Sequence, residues 1–233
     1  MLTSSFSTEI ERIRSQLAER GTASLSSRRF QDDLLDLIVQ NAETGNCIIE
    51  IGCYHGGLTA QLAFIAQRLG KRLISVDNDS SNIDIAEQTR KAVVPGAPVN
   101  FFRGTFAEYV RTLGRQEKYI LVFVDGLHTY EGVTEDIKAL YCINPLPHIA
   151  VFHDFGLRAN DWDAAIDRAL FDSFGQNFKY RPIGVLGGPS SGLATKAAPG
   201  PWNDYFLDDV PEAVYFHCAD CSLSSAPSVL ASA

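Results

Sequence analysis

Positive charge is scarce in this sequence: 20 lysines and arginines stand against 28 acidic residues, giving a formal net charge of −8. A polyanion is held through clustered Lys and Arg, so a nucleic acid is excluded as the main ligand and a small molecule is expected. Long apolar runs are missing too. No stretch approaches the roughly 18 residues a membrane span needs, and the opening "MLTSSFSTEIERIRSQLAERG" is broken by charges where a signal peptide has its apolar core. A cytoplasmic protein without a membrane partner is the expectation. The cysteines number five, Cys47, Cys53, Cys142, Cys218 and Cys221. The odd count and the apolar surroundings of the first three favour reduced thiols over a disulfide framework. "HCADC" at 217–221 is half of a zinc pattern, but the second Cys/His pair that such a site needs is absent. No internal repeat is present.

The 233 residues, 45% of them hydrophobic, suit one sizeable α/β domain with short terminal additions. Residues 8–20 and 28–41 read as amphipathic helices, the second with Phe30, Leu34, Leu35, Leu37 and Ile38 on one side. Five short apolar runs follow: "CIIEI" (47–51), "RLISVD" (72–77), "VNFF" (99–102), "YILVFVD" (119–125) and "IAVFHD" (149–154). Unbroken apolar strands of this kind belong to a parallel sheet covered on both faces. Helical stripes lie between them, at Leu58–Leu69, Phe106–Leu113, Val133–Tyr141 and Trp162–Leu170. "KYRPIGVLGG" and "GLATK", separated by "PSS", predict an antiparallel pair. The expected fold is α/β, a Rossmann-like, doubly wound, seven-stranded and mostly parallel sheet with an antiparallel hairpin at one edge. Residues 1–42 are expected to form a helical cap or lid, 43–198 the ligand-binding domain, and 199–233 a partly flexible tail.

Ligands of a doubly wound sheet lie outside the carboxyl ends of its strands. The residues there are Glu50 and Gly52, Asp77, Gly104 and Thr105, Asp125 with His128, and His153 with Asp154. In "EIGCYHGGLT" (50–59) the glycines Gly52, Gly56 and Gly57 are spaced G-x-x-x-G-G. The G-x-G-x-x-G that seats a dinucleotide pyrophosphate is not there, and no Tyr-x-x-x-Lys pair occurs, which counts against a nicotinamide-dependent oxidoreductase. What remains is a turn into a helix whose free N–H groups suit a carboxylate, followed by Asp77 at the next strand end, where it could accept bonds from ribose hydroxyls. An adenosine ligand that carries an amino-acid carboxylate and no phosphate is S-adenosylmethionine (SAM).

At this point "IIEIGCYHGGLT", "ISVDND", "VNFFRGTFAEYV", "FVDGLHTYEGVTEDI" and "AVFHDF", together covering 47–155, carry a resemblance. The chain resembles the class I SAM-dependent methyltransferases, and within them the methyltransferase-24 group of cephalosporin-hydroxylase-like and macrocin-type O-methyltransferases. The resemblance implies that Glu50 holds the amino end of SAM through the turn, that Gly52, Gly56 and Gly57 admit the methionine part, and that Asp77 binds the ribose. Thr105 and Asp125 complete the implied cofactor contacts. Where many relatives carry an acid near the adenine amine, this chain has Gly104, Thr105 and Phe106.

A sulfonium is already an electrophile, so a methyltransferase mainly places the nucleophile in line and removes the proton of a hydroxyl. His128 and His153 are the candidate catalytic residues. Asp125, His153 and Asp154 are the candidate ligands of Mg²⁺ or another divalent cation, which would lower the pKa of a chelated hydroxyl. The residue before Asp154 is a histidine where metal-dependent relatives have an acid. The expected partner is a small-molecule acceptor, with self-association into a homo-oligomer left open. Three other readings remain at this stage: a non-catalytic SAM-binding protein, a nicotinamide-dependent oxidoreductase, and, ranked last, a metal hydrolase built on Asp125, His128, His153 and Asp154.

Overall fold

The computed structural model describes residues 4–114, 117–157, 165–186 and 210–224. Two helices come first, α1 (Ser4–Glu19) and α2 (Arg28–Gln40). Strands and helices then alternate as β1 (Cys47–Ile51), α3 (Gly57–Arg68), β2 (Arg72–Asp77), α4 (Ser80–Val93), β3 (Val99–Arg103), α5 (Phe106–Arg111), β4 (Tyr119–Val124), α6 (Tyr130–Leu140), β5 (Ile149–His153) and α7 (Ile166–Phe174). Two further strands, β6 (Arg181–Leu186) and β7 (Pro211–His217), complete one seven-stranded sheet of order β3-β2-β1-β4-β5-β7-β6. The first five strands are parallel, while β7 runs antiparallel to both β5 and β6.

Each central strand is apolar on both faces because both faces are covered. Ile49 and Ile51 point into a core shared with α5, α6 and α7, whereas Ile48 points into a second core shared with α1, α2 and α3. α2 starts at Ser27, whose side chain accepts from the Phe30 N–H, and it buries Phe30, Leu34, Leu35, Leu37 and Ile38. A buried phenylalanine contributes about 1.5–3 kcal/mol, so this stripe fastens the N-terminal helices to the sheet. The sequence reading assigned no helix between β2 and β3. α4 fills that place, capped by Asp79 and burying Ile83, Ala86, Thr89 and Val93.

The antiparallel edge is present, but its second strand comes from further along the chain. The "GLATK" run lies outside the described residues, as do Trp162 and Trp202. The strand that pairs with β6 is β7, which enters between β5 and β6 with Phe152 opposite Val214 and His153 opposite Ala213. The sheet therefore draws on the segment that had been read as a tail. A local turn rule finds hairpins whose strands are adjacent in sequence, and here the pairing partner is set by the open edge of β5. β6 lies at the outer edge, where its Pro182 can be accommodated.

Candidate active site

β1 lies between β2 on one side and β4 on the other, the point where the strand order reverses and where ligands of such sheets bind. Backbone hydrogen bonds continue past the strand ends here: Gly52 N–H donates to Val76 O at 2.8 Å, Asp125 N–H to Ile51 O at 2.9 Å and Gly104 N–H to Asp77 O at 2.9 Å. These bonds bring the predicted residues Gly52, Asp77, Gly104 and Asp125 to one rim.

The glycine turn is packed against the protein itself. Gly52 has a φ of +83°, and a Cβ there would lie 2.1 Å from the Asp125 carbonyl oxygen. A Cβ on Gly57 would lie 2.4 Å from Ser24 N and 2.5 Å from Thr22 O, so the segment between α1 and α2 passes directly over the start of α3. Gly56 meets Ala86 of α4 in the same way. These close approaches account for the three glycines by the meeting of β1, α3, α4 and the N-terminal segment. Between them, His55 stacks on the exposed Tyr54 with ring centroids 3.8 Å apart.

Asp77 reaches back to that turn. Its Oδ2 accepts from Cys53 N–H at 3.0 Å and Tyr54 N–H at 3.3 Å, and its Oδ1 accepts from Asp79 N–H at 2.9 Å. Thr105 caps α5 in a reciprocal box with Glu108, its Oγ1 accepting from Glu108 N–H at 3.2 Å. Glu50 is only 1% exposed and accepts from Ser75 Oγ at 2.7 Å. Burial pushes its carboxyl up to about 8, against the pull of the Ser75 hydrogen bond.

That shift carries a sign. The folded chain holds the Glu50 proton more tightly than the unfolded chain, so the stability it contributes is complete below about 4.5 and is lost as pH rises toward 8. The loss is about 5 kcal/mol at one site. Thermal melts from pH 5 to 9 should show Glu50→Gln gaining on the parent as pH rises; parallel profiles would disprove the assignment.

The second group lies at the ends of β4 and β5. Asp154 has a φ of +54°, a left-handed conformation that Asp tolerates better than most residues. His128 Nε2 is 3.4 Å from Asp125 Oδ1 and 3.2 Å from Asp154 Oδ2. His153 Nδ1 is 3.1 Å from Asp125 Oδ1 and 3.1 Å from Asp154 Oδ1. Two imidazoles thus share two carboxylates. Burial favours neutral imidazoles, but hydrogen bonds and the charges of the two acids outweigh it, raising His128 to about 10 and His153 well above its ordinary value. The same pairing outweighs burial at Asp125 and Asp154 and holds both carboxyls below the usual range. His128 alone among these carboxylates is therefore an imidazolium, and the neutral base expected from its ordinary pKa requires their charge to be offset first.

Donor atoms of Asp125, His128 and Asp154 lie within 4.8 Å of one another, the one such cluster among the described residues. Two carboxylate oxygens and one imidazole nitrogen fit Mg²⁺, Mn²⁺ or Fe²⁺ better than a soft metal. His153 stands behind them, 7% exposed against 22% for the His128 side chain. The "HCADC" segment forms no such cluster: Cys218 is in the core, and the carbonyls of Cys218 and Cys221 accept from Tyr141 Oη at 3.3 and 3.2 Å. Sequence reasoning also missed Phe30, whose ring centroid is 4.6 Å from that of His153, and Glu212, 3.2 Å from its Nε2. The signal for Glu212 was one acid inside the otherwise apolar "PEAVYF".

Residues 49–155 match the methyltransferase-24 family, described as a methyltransferase domain, and span both groups at the sheet rim. The matched segment is thus a methyltransferase domain, set in a mostly parallel Rossmann-like α/β sheet. Similar solved structures include a putative O-methyltransferase from Klebsiella pneumoniae (16% identity, TM-score 0.55, 74% of this chain and 80% of that one). An O-methyltransferase from Bacillus cereus in complex with SAH is similar as well (18% identity, TM-score 0.53, 70% and 77% covered), as is cofactor-bound Rv0187 from MTB (17%, 0.58, 89% and 88%). At these identities the likeness is one of fold. No curated protein matches the chain in sequence. No described helix is long and apolar enough to cross a membrane.

Proposed function

We propose that this protein transfers a methyl group from SAM to a hydroxyl of a small metabolite. The observation that carries the reading is the cluster of Asp125, His128, His153 and Asp154, which lies at the ends of β4 and β5 beside the glycine turn of β1. The start of α3 at Gly57 offers backbone N–H groups to the carboxylate of SAM, and Glu50 favours its ammonium from beneath the turn. Asp77 binds the ribose hydroxyls, Thr105 flanks the adenine side, and Gly52 keeps the turn against Asp125. SAM supplies the methyl group as an electrophile.

A divalent cation held by Asp125 and Asp154 would lower the pKa of an acceptor hydroxyl and offset the charge of the two carboxylates. With the carboxylates so offset, the imidazoles would lose what holds their second protons, and His128, the more exposed of the two, would take the hydroxyl proton at Nε2. His153 keeps the carboxylates in place. The reading also gives residues 1–42 the role of a cap over the methionine end, consistent with the passage of Thr22 and Ser24 over Gly57.

Incubation with SAM and a panel of alcohols, catechols and sugars, with Mg²⁺ or with EDTA, should yield S-adenosylhomocysteine and a methyl ether only with metal. SAM binding without transfer to any acceptor would favour a non-catalytic role. Asp77→Ala should weaken SAM binding about 10- to 150-fold by titration calorimetry, the worth of a hydrogen bond to a charged group. Unchanged affinity would remove Asp77 from the cofactor site.

A further inference from the structure

We propose that Glu212 is a positioning residue for His153: it accepts the imidazole Nε2–H and so aims Nδ1 at Asp125 and Asp154. The inference rests on the reading of that cluster as the reaction centre, and it adds a part that lies outside the matched 49–155 segment. Glu212 is on β7, one residue before Ala213, which pairs with His153. Its Oε1 is 3.2 Å from His153 Nε2, while Nδ1 on the far side of the ring is 3.1 Å from both aspartates. A ring turned over would place carbon atoms against those carboxylates. Phe30 packs on the ring face with centroids 4.6 Å apart, so the imidazole is held at both nitrogens and across its face.

Glu212 is itself fixed. It is 1% exposed, and an unsupported buried carboxylate would cost several kcal/mol. Ser27 supports it twice: the backbone N–H donates to Oε1 at 2.7 Å, and the hydroxyl donates to Oε2. Room for the carboxylate comes from Gly184 on β6, where a Cβ would lie 2.6 Å from Oε2. Ser27 also caps α2. The N-terminal helix, the last two strands and the reaction centre are thereby joined through one carboxylate. Partners of this kind fix the tautomer and orientation of a functional histidine.

Two variants separate positioning from bulk stability. Glu212→Gln preserves the contacts, since its Oε1 can accept from both Ser27 N–H and His153 Nε2–H while its amide donates to Ser27 Oγ. Glu212→Ala removes them. In ¹H–¹⁵N spectra of histidine-labelled protein, wild type and Glu212→Gln should show a slowly exchanging Nε2–H signal that disappears in His153→Phe, and Glu212→Ala should lack it. In Glu212→Ala, kcat should fall about 10- to 100-fold with the KM for SAM within about twofold of wild type, and Glu212→Gln should recover kcat to within about threefold. An unchanged kcat in Glu212→Ala overturns the proposal, and so does a loss of SAM affinity in step with kcat in the folded variant, which would make Glu212 merely structural. If Glu212→Ala does not fold, Glu212→Asp takes its place, with a carboxylate about 1.5 Å short and the same expected loss. A wild type that transfers no methyl overturns the O-methyltransferase reading instead, and the Nε2–H signal then decides by itself whether Glu212 holds His153.

Discussion

Replacing Asp154 by asparagine should lower kcat for methyl transfer by about 10²–10⁴-fold while SAM affinity stays within about threefold, the range general acid–base groups command. Asparagine has nearly the shape of aspartate and tolerates the same left-handed backbone, so the φ of +54° is kept and only the charge is removed. That charge reaches both imidazoles, His128 at 3.2 Å and His153 at 3.1 Å. Its loss takes away one of the two acids that raise His128 to about 10, so the His128 titration, followed by NMR in metal-free protein, should shift downward. Metal affinity should fall with it, because a carboxylate donor becomes a neutral amide. The result that would sink the assignment is an Asp154→Asn enzyme with near-normal turnover and altered stability alone. The cluster would then be a structural ion network, and the non-catalytic reading would gain ground.

Gly52→Ala should cost about 2–6 kcal/mol of folding stability, combining about 1–3 for a left-handed non-glycine backbone with about 1–3 for overpacking. The φ of +83° is one reason, and the other is spatial: the added Cβ would lie 2.1 Å from the Asp125 carbonyl oxygen, a backbone atom with no rotamer to turn away. Relief requires β1 and β4 to move apart at the rim that carries the reaction centre. Urea denaturation should therefore show a lower midpoint, and Asp125 should be displaced even in the folded fraction. Gly70→Ala is the control, since it has a φ of +65° with nothing within 4 Å of its Cβ and should lose only the backbone share. Equal losses in the two variants would refute the close-approach argument.

Much of this was legible in the sequence because the parallel half of the fold is written in local patterns. Short apolar runs that carry Glu50, Asp77, Asp125 and Asp154 at or near their ends fall where β1, β2, β4 and β5 stop. Their order dictates which ends meet, since right-handed crossovers leave few arrangements of such a sheet. The glycine turn was legible as a place needing close approach, but not as to what approaches: Asp125, Ala86 and the Thr22–Ser24 segment come from three other elements. Helix α4 escaped notice because its buried positions, Ile83, Ala86, Thr89 and Val93, form a thin stripe with few large side chains. The behaviour of His128 could not be read either, since two acids, one of them 26 residues distant in sequence, decide its charge.

By itself the sequence determined a doubly wound α/β sheet, the rim residues and a methyltransferase domain, because periodicity and strand-end chemistry are properties of neighbours along the chain. Only the tertiary structure decided which strand closes the sheet, how the histidines are protonated, and that Ser27 and Glu212 stand 185 residues apart in sequence yet share a buried hydrogen bond behind His153. The physical reason is the range of the forces involved. Backbone and side-chain periodicity act within a few residues, whereas desolvation and charge pairing depend on which groups the folded chain brings together, from whatever distance along it.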